Sequence, residues 1–166
     1  IALRRLLLEA GAASDIREFG FNALLSLRLE KSFGIWSAEF TQGYTPAATG
    51  MDRWIAWDKP EFIGREAAIA ERDGTGPAQK LVTLEIEAGD ADASGFEPVW
   101  AGNKLAGFVT SGGYGHCVQR SLAMAMVDAD LTAEGTELAV HVVGVKRAAK
   151  IIAASPYDPK GAVMRG

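Results

Sequence analysis

The chain has a single cysteine, Cys117, and only two histidines, His116 and His141, in 166 residues. One thiol excludes an internal disulfide, and so few soft ligands cannot be arranged at zinc-binding spacing, so no structural metal is expected. No run approaches the roughly 18 uninterrupted apolar residues that a membrane-spanning helix needs. The opening IALRRLLLEAGAA carries its charges inside the apolar stretch rather than before it, which is not the layout of a secretory leader. A soluble, cytoplasmic protein without a membrane partner is expected. Strong charge is lacking too: the net charge is −4, and the basic residues are scattered instead of forming the stripe that a nucleic-acid backbone requires. Nucleic acid is not an expected partner.

What is present suffices for a core. With 48% hydrophobic and 23% charged residues, the chain can bury one sizeable core or two small ones. It begins at Ile1, without methionine and already inside a helix-like pattern, so a piece of something longer is expected.

Ala2, Leu3, Leu6, Leu7 and Ala10 recur at helical spacing, and Gly11 sits where a left-handed cap would end the helix. A second helix is expected over Asn22 to Ser32, with Asn22 as a cap. From Gly34 to Pro60 the chain is aromatic-rich and interrupted by Gly43, Pro46 and Gly50, with only RWIAW reading as a strand. Irregular backbone of that kind inside a compact domain is more often functional than idle. A short helix, Gly64 to Arg72, ends at DGTG. Beyond it, KLVTLEIEA, EPVWA, KLAGFVTS, SLAMAMVD, ELAVHVV and KRAAKIIAA are short apolar or alternating runs separated by Gly, Asp, Asn and Ser. Six strands with turn signals at near-regular intervals imply a sandwich or, better protected at its edges, a small closed barrel.

Several motifs invite chemistry. TSGGYGH lacks the lysine of a nucleotide phosphate loop and precedes a strand-like run, so its glycines read as a hairpin turn. His116 and Cys117 are adjacent, and neighbouring side chains on a strand point to opposite faces, which argues against a nucleophile with its base. Cys117 reads as an ordinary barrel residue and His116 as a surface one. Two readings of Glu30 stand: a solvated side chain at a helix end, or a carboxylate placed to hold paired N–H donors of a ligand. Trp36, Tyr44, Trp54 and Trp57 offer flat surface for an aromatic ring system, with core packing as the ordinary alternative. Glu39, Asp52 and Asp58, with Arg53 and Lys59, read as surface charges, since they form no catalytic spacing.

In order along the chain, SLRLEKSF (Ser26 to Phe33), YTPAATG (Tyr44 to Gly50), WIAWDKPEFIGREA (Trp54 to Ala67) and GFVTSGGYGHCVQRSLAMAMVD (Gly107 to Asp128) resemble motifs of the aminomethyltransferase family, the glycine cleavage T-protein and its relatives. The resemblance implies an α+β chain: the end of a folate-binding α/β part over residues 1–76, then a six-stranded antiparallel β-barrel over 77–166. It implies tetrahydrofolate as ligand. The glutamate of the family's Arg-Leu-Glu, which hydrogen-bonds the pterin, falls on Glu30. Trp36 stands where many T-proteins have tyrosine, Lys59 where arginine is usual, and Ala48 where an acidic residue is common. Glu30, Trp36 and Lys59 are therefore the expected folate-binding residues. The family's catalytic aspartate belongs to the first half, and no position here matches it, so the chain alone is expected to be inactive.

Glu-Lys-x-Phe with a following tryptophan, and the tail SPYDPKGAVMR, resemble the folate module of sarcosine and dimethylglycine dehydrogenases. In those long chains an FAD-dependent part oxidises the N-methyl amine, and the folate part captures the one-carbon unit. No Gly-x-Gly-x-x-Gly fingerprint occurs here, so FAD would belong to a missing N-terminal part of the same protein, the expected partner of this one. The alternatives are a folate-dependent demethylase on the same fold and a non-catalytic barrel module in protein contacts. A folate-binding iron–sulfur assembly protein is set aside, because its Lys-Gly-Cys-Tyr-x-Gly-Gln-type motif is absent.

Overall fold

A computed structural model of the chain describes residues 1–165. The first half carries three helices, α1 (Ala2–Ala10), α2 (Phe21–Glu30) and α3 (Arg65–Asp73), and a short α4 (Ala162–Arg165) lies near the end. Each of the six runs read as strands is one: β1 (Gln79–Ile86), β2 (Pro98–Ala101), β3 (Lys104–Gly115), β4 (Arg120–Asp128), β5 (Glu137–Val142) and β6 (Val145–Ile152). They close a barrel in the order β1-β4-β3-β2-β5-β6, every pairing antiparallel, with β6 returning to β1. Closure leaves no strand edge open to another chain.

The barrel interior is aliphatic. Val82, Leu84, Ile86, Val99, Val109, Ala123, Ala125, Val127, Val140, Val142 and Ile151 fill it. Alternation puts the small side chains of β4 inside, while Leu122, Met124 and Met126 face outward and are buried as well. α2 packs on β3 and β4 from outside, which is why SLAMAMV reads as a continuous apolar run. In β3, Val109 opposes Ala125 and Ser111 opposes Met124, leaving Thr110 as the extra residue of a β-bulge. A bulge re-aims side chains, and this one turns Thr110 and Ser111 toward the same group.

Local expectations differ from the structure at five places. Gly11 has φ −88, and the left-handed residue is Asp15 (φ 51), after a further 3-10 turn over Ala12–Ser14. Asn22 lies inside α2, whose N-cap is Gly20 with no side-chain cap bond. RWIAW is no strand: Asp52–Trp54 form a 3-10 turn, and the closed barrel offers such a segment no edge to pair with. The glycines of TSGGYG sit within β3, not in the turn, which is His116–Gln119 with Gln119 at φ 56. At Gly112 a Cβ would lie 2.3 Å from the Ala93 carbonyl oxygen, so the glycine admits the segment that crosses over the strand. Cys117 accordingly is an exposed turn residue, while His116 is exposed with its ring edge-on to Tyr114 at 5.2 Å.

Val143 and Gly144 form the two-residue β5–β6 turn, both at positive φ (48 and 76). That geometry favours Asn-Gly, and a β-branched residue is strained in it. Val143→Asn is expected to raise stability by about 0.5–2 kcal/mol in urea unfolding.

Candidate functional site

The site is built where α2 stops. Lys31 follows the last helical residue, and Ser32 adopts the left-handed conformation at φ 51. The Ser32 N–H donates to the Leu29 carbonyl and the Phe33 N–H to that of Arg28, both at 2.9 Å, the bond pair of a left-handed helix cap. Glycine normally holds that position. Here the Ser32 hydroxyl is anchored twice, to Thr83 Oγ1 at 2.8 Å and by the Ser155 N–H at 2.8 Å, which offsets the strain.

Glu30 is the last residue of the helix, and its side chain is only 1% exposed. Oε1 accepts the backbone N–H groups of Cys117 at 2.6 Å and Val118 at 3.0 Å, at the tip of the β3–β4 hairpin. Oε2 is buried and has no hydrogen-bond partner among the described residues. An unpartnered oxygen of this kind costs about 1–3 kcal/mol, more if charged, and is the natural acceptor for a ligand's N–H. The Glu30 carbonyl is held by the Tyr157 N–H at 3.0 Å. Lys31, also buried, donates to the carbonyls of Tyr157 at 3.2 Å and Asp158 at 2.5 Å, and Ser155 Oγ donates to the Lys31 carbonyl at 2.7 Å. Strand tip and C-terminal tail thus grip one helix end from two sides.

A second buried carboxylate ties α2 to β3. Glu39, expected as a surface charge, is fully buried: Oε1 accepts the hydroxyls of Thr110 at 2.7 Å and Ser111, and Oε2 accepts the Ile35 N–H at 2.9 Å and Arg28 Nη1 at 3.4 Å. Burial pulls the Arg28 guanidinium below its usual range, opposed by the Glu39 charge. The same carboxylate, after burial itself, pushes the Tyr44 phenol up. The available signal was the polar pair Thr110-Ser111 inside an apolar strand and Arg28 inside an apolar helix, all aimed at one unassigned partner.

The other expected residues are dispersed. Trp36 is 83% exposed, with its ring edge meeting Phe40 at 6.2 Å. Lys59 is exposed, and its carbonyl accepts Arg65 Nε at 3.0 Å. No hydrogen bond, ion pair or ring contact joins Glu30, Trp36 and Lys59 among the described residues. The four aromatics do not form one slot: Trp54 is exposed, and Trp57 lies half-buried under the Arg72 guanidinium at 4.5 Å.

The chain has counterparts among known proteins. Residues 79–158 match the family described as glycine cleavage T-protein C-terminal barrel domain, and residues 2–59 match the GCVT N-terminal domain. A mitochondrial dimethylglycine dehydrogenase of Rattus norvegicus is 36% identical over 91% of the chain, which spans 18% of that relative's length. An aminomethyltransferase of Halalkalibacterium halodurans is 30% identical over 96% of the chain and 43% of its own length. The crystal structure of the glycine cleavage system aminomethyltransferase T from Bartonella henselae superposes with a TM-score of 0.84 at 24% identity, over 95% of this chain and 44% of that one, a likeness of fold. The chain belongs to the aminomethyltransferase (glycine cleavage T-protein) family. No helix in its described residues is long and apolar enough to cross a membrane.

Two measurements probe this geometry. The Cys117 thiol is pushed above its ordinary value, first by a hydrogen bond to Glu30, then by burial and by the carboxylate's charge. Glu30→Gln removes the charge and weakens the bond, so the pH profile of Cys117 alkylation should move to lower pH, followed by mass spectrometry. Glu39→Ala strands the Arg28 guanidinium in the interior and should cost about 3–5 kcal/mol in urea unfolding.

Proposed function

We propose that the chain is the C-terminal part of a tetrahydrofolate-dependent aminomethyltransferase-like protein. It serves transfer of a one-carbon unit from a methylated amine or aminomethyl donor to tetrahydrofolate, within a longer protein of the sarcosine/dimethylglycine dehydrogenase type. Residues 1–76 would form the end of its folate-binding part and 77–166 its barrel, with FAD, where present, in the remaining N-terminal part. Leu3, Leu6 and Leu7 lie exposed along one face of α1, with Phe19, Phe21 and Leu24 exposed beyond it, and such a surface favours a large covering partner.

One observation carries the reading: Glu30 is buried with one oxygen held by two backbone N–H groups and the other unpartnered among the described residues. The amino-pyrimidine edge of a reduced pterin presents N–H donors, and a fixed buried oxygen accepts them with strong orientation. The ring face of Trp36 offers a stacking surface, and the Lys59 ammonium would attract the carboxylates of the glutamate tail. Bound tetrahydrofolate would supply the nitrogen that receives the one-carbon unit. The contribution of this chain is to orient that ligand and keep water from one side of it, since proximity dominates such a transfer.

Calorimetric titration of the full-length protein with tetrahydrofolate tests the assignment. Glu30→Gln should raise Kd by about 10- to 150-fold, the loss of a hydrogen bond to a charged group. Trp36→Ala should raise it by about 2- to 10-fold. Unchanged affinity in Glu30→Gln would remove the central residue from the reading.

A further inference from the structure

We infer that the β3–β4 hairpin tip, with Gly115 at its base, is the positioning element for the Glu30 carboxylate, tying one oxygen and leaving the other to the ligand. The inference rests on the reading of Glu30 as the folate-binding group. A glutamate carboxylate turns freely about its last torsion, because that rotation has only broad, shallow preferences. Two successive backbone N–H groups, from Cys117 and Val118, converge on Oε1 and stop it. The left-handed Gln119 (φ 56) closes the turn from which both amides reach the carboxylate.

Gly115 is what lets the tip come so close. It is buried, and a Cβ there would lie 3.0 Å from Glu30 Cγ, 2.9 Å from Val118 Cγ2 and 3.0 Å from Leu122 Cδ1. Any side chain would press on the glutamate and on one of the two residues that hold it. One helical turn before Glu30, Ser26 Oγ donates to the Tyr114 carbonyl at 2.6 Å and latches the hairpin to α2. The barrel therefore has a task beyond covering the ligand. It orients in advance the group that recognises it.

Cys117 allows a direct readout, because selective nitrogen-15 cysteine labelling of the full-length protein reports its amide, assigned by the resonance that Cys117→Ser removes. A short bond to a carboxylate holds that proton downfield, and Glu30→Gln and Gly115→Ala should each move it upfield. In the full-length protein, Gly115→Ala should weaken tetrahydrofolate binding about tenfold, and less than about twofold in a Glu30→Gln background, since the effect runs through Glu30. Equal loss in both backgrounds would make Gly115 merely structural and overturn the inference, as would an unmoved Cys117 resonance. Should Gly115→Ala fail to fold, Ser26→Ala, which removes only the latch, is judged on the same two readouts with a smaller expected loss of about threefold. If the unsubstituted protein binds no tetrahydrofolate, the folate reading falls, and the Cys117 resonance alone decides whether the hairpin fixes the carboxylate.

Discussion

One buried carboxylate oxygen held by two successive backbone amides is the contact on which the organisation of this chain turns. For Glu30 to reach the hairpin, α2 must stop at that residue, which the left-handed Ser32 enforces. Ser32 tolerates that conformation because Thr83 on β1 and Ser155 in the tail anchor its hydroxyl. β3 and β4 must be long enough to lift their turn over the helix end, and small enough at Gly115 to touch it. Helix, barrel and tail are thus mutually conditional around a single side chain.

A second buried carboxylate joins the same helix to the barrel. Glu39 receives four hydrogen bonds in the buried interior, from a loop amide, two strand hydroxyls and an arginine of α2. Buried ions contribute little net stability over apolar packing, yet removing one partner is costly. Such a group fixes where the helix sits on the barrel more than how strongly it binds there. The β-bulge at Thr110 is integral to it, because in a regular strand adjacent side chains point to opposite faces and only one hydroxyl would reach the carboxylate.

The barrel was legible in the sequence because its signals are local. Alternation and turn residues marked all six strands, and the Arg-Leu-Glu motif singled out Glu30. Apart from the helix caps at Gly11 and Asn22, what escaped was decided by contact between distant segments. The glycines of VTSGGYG look like a turn by composition, and only the crossing of Ala93 and the approach of Glu30 explain why they belong in the strand. Glu39 looks like a solvated charge because its partners lie 11, 71 and 72 residues away along the chain. The exposure of Trp36 and Trp54 is likewise invisible to composition, since an aromatic that ends on the surface reads like one destined for a core.

The tail contact carries a consequence for biosynthesis. The Tyr157 amide bonds the Glu30 carbonyl, and Lys31 closes on the carbonyls of Tyr157 and Asp158, so the helix end is finished by residues translated some 127 positions later. Contacts of such separation form slowly, because a long loop must close before they contribute. On the ribosome, α2 would emerge with its terminal carboxylate solvated and its site unmade, to be completed only when the last barrel strand and the segment beyond it are free. A chain stalled before Tyr157 would then carry Glu30 without the tail contacts that finish this helix end, which couples the local geometry to synthesis of the segment beyond β6.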